Sequence, residues 1–261
     1  MPVTPSRGRW LSLASVALFF IVWEAVCRAG WINPVLLSAP SGIVAAGMVL
    51  LSHSMIWLDL AYTALAFVMA LGVAIVGGAV VGGVIGYSRT AYFVVNPFVV
   101  AINGLPKVVL MPLVVLWVGI GSAASVFLGA VMASFPILTA TFSGIRALDP
   151  DHVRLARSFG AGPRVIARTI VAPGVAPYLL SGIRVGLNYA MVGVLIAEFF
   201  GASQGVGYRM MLLMANFEVA SFFAYLLIVA AFTLATTSLL QAVERRVTHW
   251  RPDALSPIGG M

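Results

Sequence analysis

Residues 61–87 read AYTALAFVMALGVAIVGGAVVGGVIGY, a run in which no side chain is charged. A helix needs about 20 mostly apolar residues to cross the roughly 30 Å hydrocarbon core of a bilayer. The glycines of the run allow close approach of neighbouring helices in lipid; they are Gly72, Gly77, Gly78, Gly82, Gly83 and Gly86. The run therefore predicts a membrane-spanning helix that packs through small residues.

Further apolar stretches of similar length flank this run. The predicted spans are 11–29, 61–87, 97–118, 123–145, 177–200 and 219–243. Gly119-Ile120-Gly121-Ser122 separates the third from the fourth, inside a charge-free run from Val108 to Ile145. The first is too long for the apolar region of a signal peptide, so we expect it to stay uncleaved. The predicted fold class is all-α, a polytopic membrane helical bundle of about six spans in one domain, 1–261.

The overall composition agrees with this fold class. Of the 261 residues, 61% are hydrophobic and 9% are charged, against about 45–50% and about 25% in soluble domains. The single cysteine, Cys27, excludes a disulfide framework and a cysteine-based metal site. The net charge of +7 would also suit a nucleic-acid partner, but no cluster of basic and aromatic residues accompanies it. We therefore predict a membrane protein with no nucleic-acid partner.

The basic residues predict the orientation, because Lys and Arg accumulate in cytoplasmic loops. With both termini in the cytoplasm, eleven of the fifteen basic residues are cytoplasmic: Arg7, Arg9, Arg89, Arg146, Arg154, Arg157, Arg164, Arg168, Arg245, Arg246 and Arg251. Arg28 and Arg209 then fall outside, and Lys107 and Arg184, near membrane boundaries, stay unassigned. Residues 30–58 form an outside loop in which turn residues precede a short interfacial helix.

The longest cytoplasmic loop, residues 146–176, carries signals of ordered structure. Asp149-Pro150 has the chemistry of a helix start, so we predict a helix over residues 150–159. Gly160, which can adopt a left-handed conformation, ends it. Gly162-Pro163 starts a second helix, which we expect Pro173 and Pro177 to end. Such an element is built to touch a partner; the alternative is a basic hairpin that lies on anionic lipid.

The 146–176 loop resembles the EAA motif of ABC-importer permeases. That motif consists of E-A-A, three residues, G, nine residues, I, one residue and L-P. Ala156, Gly160, Ile170 and Pro173 match it in register, whereas Arg154 replaces Glu, Leu155 replaces Ala and Ala172 replaces Leu.

Other stretches resemble the nitrate, sulfonate and taurine permease branch of the type I importers. They are Asn33-Pro34, Leu37, Pro40-Ser41, Leu116-Trp117-Val118-Gly119-Ile120-Gly121, Phe135-Pro136-Ile137, Gly182-Ile183-Arg184, Ala197-Glu198, Gly205-Val206-Gly207-Tyr208 and Glu244-Arg245-Arg246. The resemblance covers nearly the whole chain, from about Val22 to Arg251.

The resemblance implies a permease in a bacterial inner membrane with the type I importer fold. Two copies would form the substrate pathway, two cytoplasmic ATPase subunits would drive it, and a periplasmic or lipid-anchored binding protein would deliver substrate. The 146–176 loop would act as a coupling helix that docks on the ATPase. The residues implied in docking are Arg154, Leu155, Ala156, Arg157, Ser158, Gly160, Ala161, Ile170 and Pro173.

Nucleotide chemistry is expected in the partner. The chain has no G-x-x-x-x-G-K-[ST] phosphate loop, so it would bind no cofactor itself, and ATP and Mg²⁺ would belong to the ATPase. The three histidines are too dispersed for a zinc site, and no catalytic triad is evident. We predict no catalytic and no metal site.

Polar residues in or near the spans are candidates for the pathway, because such groups face protein or water. They are Asn103, Asn188, Tyr189 and Glu198. For the two asparagines the alternative is an interhelical hydrogen bond, and for Glu198, near the outer end of the fifth span, it is a helix cap or a gate.

Three functions therefore compete. The first is the ABC permease, whose branch suggests a small anion such as a sulfonate, taurine or nitrate as substrate, or else an aromatic acid or a pyrimidine vitamin precursor. A secondary transporter would show paired repeats with interrupted helices, and no second copy is evident. An intramembrane enzyme would need clustered acids or histidines within the spans.

Overall fold

The computed structural model describes residues 5–33 and 35–247, which are almost entirely helical. Arg251 and Pro34, both used above, lie outside the described residues. The helices are α1 Pro5–Arg28, α2 Pro40–Ser52, α3 Ser54–Tyr87, α4 Arg89–Gly104, α5 Met111–Val118, α6 Ser122–Arg146, α7 Pro150–Ser158, α8 Pro163–Ile166, α9 Ala172–Gly201, α10 Val206–Ala215 and α11 Val219–Val247. A 3-10 turn spans Lys107–Leu110, and a π turn spans Ala167–Val171.

Five of the described stretches are long and apolar enough to cross a membrane: Trp10–Arg28, Ser54–Tyr87, Ser122–Arg146, Pro163–Gly201 and Val219–Val247. The pair α4 and α5 passes the same test jointly, across a bend of 88°, and makes a sixth. The predicted all-α membrane bundle of about six spans is confirmed. Five predicted spans coincide with single helices, whereas the third, 97–118, does not.

The third span was predicted as one helix from Pro97, which is wrong. Its first helix begins at Arg89, contains Pro97, and ends at Gly104. Leu105 then adopts an extended backbone (φ −73°, ψ 137°), because a residue before proline is sterically pushed out of the α region. Pro106 therefore breaks the span into α4 and the short α5.

Helix α6 lies between α3 and α9 and forms the centre of the bundle. Gly78, Gly82 and Gly86 follow one another at every fourth position of α3 and face α6. A Cβ at Gly82 would lie 2.6 Å from the Leu138 carbonyl oxygen, so the two backbones are in direct contact. The other predicted packing glycines of α3, Gly72, Gly77 and Gly83, have no atom within 4 Å of such a Cβ. Only one of the two glycine faces is therefore a packing surface.

A second glycine row holds α9 against α6. It consists of Gly182, Gly186 and Gly193, and a Cβ at Gly193 would meet the Cα of Gly129 at 2.7 Å. Close backbone approach of this kind allows dispersion contacts over the full helix length, which is what associates helices in lipid. The three helices thus form one tightly packed unit.

The predicted break between the third and fourth spans is confirmed at Gly119–Ser122. Gly119 and Gly121 have φ values of +89° and +126°, which residues with a Cβ rarely adopt. The Gly121 amide donates to the Gly201 carbonyl oxygen at 2.8 Å, so the break is held against the C-terminal end of α9.

Helix α1 lies at the edge of the bundle. None of its most apolar stretch is buried, and it joins α2 through the Glu24 carboxylate, which accepts hydrogen bonds from the Ser41 hydroxyl (2.6 Å) and backbone amide (3.0 Å). Helix α2, the short helix predicted in the 30–58 loop, packs in turn on α11.

Candidate functional site

The 146–176 loop begins as its sequence predicts. The Asp149 side chain accepts a hydrogen bond from the Asp151 amide at 2.9 Å and caps α7, with Pro150 in its first turn. This satisfies one of the amides that a helix start leaves without a partner. The predicted first helix of the loop is confirmed.

The turn after α7 depends on Gly160. Its φ is +78°, as expected for a glycine that ends a helix. Its amide donates to the Arg157 carbonyl (2.9 Å), and the Ala161 amide donates to the Ala156 carbonyl (3.0 Å), which closes the last turn of α7. A Cβ at Gly160 would meet nothing within 4 Å. The backbone conformation, and not crowding, is therefore what requires glycine there.

The second helix of the loop continues further than the sequence suggested. It was expected to end at Pro173 and Pro177, but α8 passes through the π turn Ala167–Val171 directly into α9. Pro173 lies in the first turn of α9, where a missing amide donor is tolerated. The loop is thus continuous with a membrane-spanning helix.

Helix α7 presents both apolar and basic side chains to its surroundings. None of its side chains is buried. Leu155 is 57% exposed, and Phe159, at the end of the helix, is 82% exposed. Arg154 pairs with Asp151 at 2.8 Å, but both side chains are mostly exposed, so this pair adds little stability. Large apolar side chains next to cations on an otherwise polar loop are typical of a binding surface.

A groove of about 480 Å³ lies between α7 and the start of α9. It is lined by Leu148, His152, Leu155, Ala156, Phe159, Thr169, Ile170 and Gly174. Of the predicted docking residues, Leu155, Ala156 and Ile170 line this groove. Arg154, Arg157, Ser158 and Gly160 are exposed but do not line it, and Ala161 and Pro173 are half-buried. The structure therefore brings Leu155, Ala156 and Ile170 together at the groove.

The pathway candidates do not share one environment. Asn103, Asn188 and Tyr189 are exposed, and neither asparagine bonds to another helix among the described residues. The Asn103 side-chain oxygen instead accepts a hydrogen bond from Lys107, four residues away. Glu198 is fully buried, so it lines no open route in this conformation.

Glu198 joins three helices at the α10 end of the bundle. One oxygen of its carboxylate accepts hydrogen bonds from the Thr63 hydroxyl (2.8 Å) and the Gly207 amide (2.9 Å). The Thr63 oxygen in turn accepts from the Val206 amide at 2.9 Å. Gly205, at φ +101°, passes so close that a Cβ would lie 2.6 Å from the Glu198 carboxyl carbon. Glu198 thus ties α9 to α3 and to the start of α10.

A buried ion pair, not anticipated from the sequence, reinforces the same end. The Arg209 guanidinium on α10 donates to the Asp59 carboxylate on α3 at 3.0 Å, and the Tyr225 hydroxyl on α11 donates to the same oxygen at 3.4 Å. Burial lowers the pKa of Arg209, but the hydrogen bond and charge of Asp59 outweigh it, so the net pKa is raised. The signal was present in the sequence, since Asp59 borders the 61–87 span and Arg209 was assigned to the same side.

A second buried ion pair lies towards the opposite end. Arg184 on α9, which the sequence left unassigned, pairs with Glu244 near the end of α11. Glu244 is almost fully buried, and a buried carboxylate requires such a partner. The pair fixes α11 against the middle of α9, so α9 is held by polar contacts there and, through Glu198, near its C-terminal end.

Comparison with known proteins agrees with this architecture. The profile of the family described as binding-protein-dependent transport system inner membrane component matches residues 74–249. SsuC of Escherichia coli strain K12, named as an aliphatic sulfonates transport permease, is 32% identical over 235 residues, 88% of each chain. TauC of the same organism, named as a taurine transport system permease, is 26% identical over 95% of this chain and 92% of its own.

A solved structure gives the same fold. A chain of the MetNI methionine ABC transporter, in an inward-facing conformation, superimposes with a TM-score of 0.65 at 19% identity. The match covers 76% of this chain and 99% of that one. At this identity the likeness concerns the fold alone.

Proposed function

This chain belongs to the family of binding-protein-dependent transport system inner membrane components, within the sulfonate and taurine branch of the ABC-importer permeases, and we propose that it works as a homodimer driven by two cytoplasmic ATPase subunits. Each ATPase would dock on the 146–176 loop. A periplasmic or lipid-anchored binding protein would deliver the substrate at the opposite face.

The observation that carries this proposal is the exposed surface of α7. Leu155 and Phe159 stand exposed beside Arg154 and Arg157, and they flank a groove that is large enough for side chains of a partner. A soluble protein surface would complete this face by burying the two apolar side chains. The basic residues also suit an acidic edge on the partner, because complementary charge favours docking.

The sequence and the geometry also suggest which subunit binds ATP and how its closure would act on the permease. The chain contains no phosphate loop for ATP, so ATP and Mg²⁺ would be bound by the partner. Closure of the two ATPases would displace the two docked loops. Because each loop continues into α9 without a break, the displacement would reorient the bundles and alternate access to the pathway between them.

We propose a small organic compound with an anionic sulfonate group as the substrate, an aliphatic sulfonate or taurine. The support comes from the relatives named as aliphatic sulfonates and taurine permeases, which match this chain over most of its length. Nitrate, an aromatic acid or a pyrimidine precursor are the alternative substrates that the test would reveal.

The test is transport by the reconstituted complex. Permease, ATPase and binding protein are placed in proteoliposomes, and uptake of radiolabelled taurine, butanesulfonate, nitrate and a neutral pyrimidine is followed with and without ATP. We expect ATP-dependent uptake of taurine or butanesulfonate. Uptake that proceeds without the ATPase would identify a secondary transporter instead, and uptake of the pyrimidine alone would overturn the substrate assignment.

The proposed orientation and assembly have their own tests. With both termini and the 146–176 loop in the cytoplasm, a cysteine at position 164, in a Cys27→Ser background, is expected to resist labelling from the periplasm. Labelling from that side would reverse the topology. Mass measurement of the purified complex is expected to give two permeases and two ATPases, whereas a transport-competent monomer would contradict the dimer.

A further inference from the structure

Lys107, which the sequence left unassigned, lies in the break of the α4–α5 span. It begins the 3-10 turn that follows Pro106, and only 8% of the residue is exposed. Its ammonium donates to the backbone and side-chain oxygens of Asn103, both at 3.2 Å. It also lies 4.9 Å from the centre of the Phe135 ring, within range of a cation–π contact.

This contact with Phe135 gives the depth of the charge. Phe135 lies near the middle of α6, about 20 Å from Ser122 and about 17 Å from Arg146 at a rise of about 1.5 Å per residue. The apolar layer of a bilayer is about 30 Å thick. The ammonium of Lys107 therefore lies near the centre of the membrane, where a cation is energetically costly and usually functional.

No carboxylate neutralises Lys107 among the residues that the structure describes. Lys107 takes part in none of the ion pairs there. Asp59 pairs with Arg209 on α10 and Glu244 pairs with Arg184 on α9. The buried Glu198 carboxylate accepts hydrogen bonds from Thr63 and Gly207 instead. The only partners of Lys107 are thus neutral carbonyl oxygens and an aromatic ring, which leave its charge uncompensated.

The surface beside Lys107 is also unsuited to lipid. Residues 101–106 are exposed, and they include the Asn103 amide and the interrupted backbone after Gly104. Irregular backbone at membrane depth is tolerated where it lines a water-filled cavity or is covered by protein. The exposed side of this break therefore faces the route between two copies of the permease or the second copy itself.

We propose that Lys107, which is buried in this conformation, becomes accessible when the pathway opens and then binds the anionic head group of the substrate midway across the membrane, with Asn103 as a neighbouring hydrogen-bond donor. This rests on the proposed function and adds the residue that recognises the charge. The ammonium supplies three donors, and its contact with Phe135 holds it at the depth of the middle of α6. A sulfonate or carboxylate would provide the missing negative charge, then leave when the pathway reopens.

The first experiment compares charge variants of the reconstituted complex. In Lys107→Gln, the amount of taurine or butanesulfonate taken up per ATP hydrolysed is expected to fall at least tenfold, equivalent to about 1.4 kcal/mol. Lys107→Arg keeps the charge and is expected to restore most of the ratio. Arg89→Gln is the matched control, since it removes one cation from the exposed start of α4 and should leave the ratio unchanged. A wild-type ratio in Lys107→Gln would overturn the proposal and leave Lys107 as a cap for the end of α4.

A second measurement tests binding of the anion without transport. Thermal unfolding of the purified wild-type permease–ATPase complex is followed with butanesulfonate and with neutral butanesulfonamide. We expect the sulfonate alone to raise Tm, and the rise to disappear in Lys107→Gln. Equal shifts with both compounds would overturn the anion site. A Lys107-dependent shift without ATP-driven uptake would instead contradict the proposed function and leave the anion site standing.

Discussion

Replacing Gly160 by alanine tests whether the turn after α7 fixes the docking angle of the loop. The glycine has φ +78°, and a Cβ there would meet no atom within 4 Å. The substitution therefore adds only the left-handed backbone strain of an L-residue, about 1–2 kcal/mol. The free loop can relieve this strain by returning to a negative φ, whereas a docked loop that needs the observed turn cannot.

The expected magnitude follows directly. A difference of about 1–2 kcal/mol corresponds to a factor of about 5–30 in an equilibrium, so Gly160→Ala is expected to weaken ATPase binding by that factor. Gly160→Asn should weaken it less, because asparagine tolerates the left-handed region better than alanine. Gly162→Ala is the matched control, since Gly162 has an ordinary φ of −72° and open space around its Cβ.

The assay is the affinity of the ATPase subunit for the permease in nanodiscs, combined with hydrolysis stimulated by loaded binding protein. Insertion and dimerisation serve as controls and should match the wild type in all three variants. If Gly160→Ala binds the ATPase as tightly as Gly162→Ala does, the turn does not set the docking angle. That result would favour the alternative in which the loop lies on anionic lipid.

Two further predictions concern the stability of the bundle, measured as thermal unfolding in detergent. Gly82→Ala should destabilise the bundle by about 1–3 kcal/mol, because the new Cβ would lie 2.6 Å from the Leu138 carbonyl oxygen. Gly83→Ala is the control and should be neutral, because Gly83 faces open space. Equal effects of the two variants would contradict the packing face assigned to α3. Asp59→Asn should cost about 2–3 kcal/mol, somewhat less than the roughly 3–5 kcal/mol of a fully buried pair, because the Arg209 side chain keeps 28% of its exposure. The double variant Asp59→Asn with Arg209→Gln should be no less stable than Asp59→Asn alone, and strictly additive losses would show that the two residues act independently.

Much of the membrane fold was accessible from the sequence because its signals are local. A charge-free run of sufficient length indicates a membrane span. Gly119 and Gly121 predicted the break between the third and fourth spans, and their positive φ values produce it. The Asp149 cap and the Gly160 turn were likewise predicted from residue chemistry. The third span failed because hydropathy does not register the geometry that Pro106 imposes on Leu105.

The polar contacts between helices were less accessible, since they depend on which faces meet. Glu198 could be placed near a helix end, but its bonds to Thr63 and the Gly207 amide join positions far apart in the chain. Lys107 was visible as a lysine beside a span, yet its depth became evident only from its contact with Phe135. The sequence alone does not show which residues of different helices meet, because that depends on how α6 packs against its neighbours.

The arrangement of contacts along α9 indicates how docking would act at a distance. The 146–176 loop enters α9 through a π turn without a break, so a rotation of α7 would be transmitted to the base of α9. Two glycine rows hold α3, α6 and α9 in backbone contact, which leaves little room for them to slide independently. Arg184 ties α9 to α11 near its middle, and Glu198 ties it to α3 and α10 near its C-terminal end. Helices α4 and α5 meet at an 88° bend around Lys107, and α5 packs on α6 and α9 through the buried Met111 and Val114. A displacement of the loop would therefore be transmitted through the packed unit to α5 and to the break that holds Lys107.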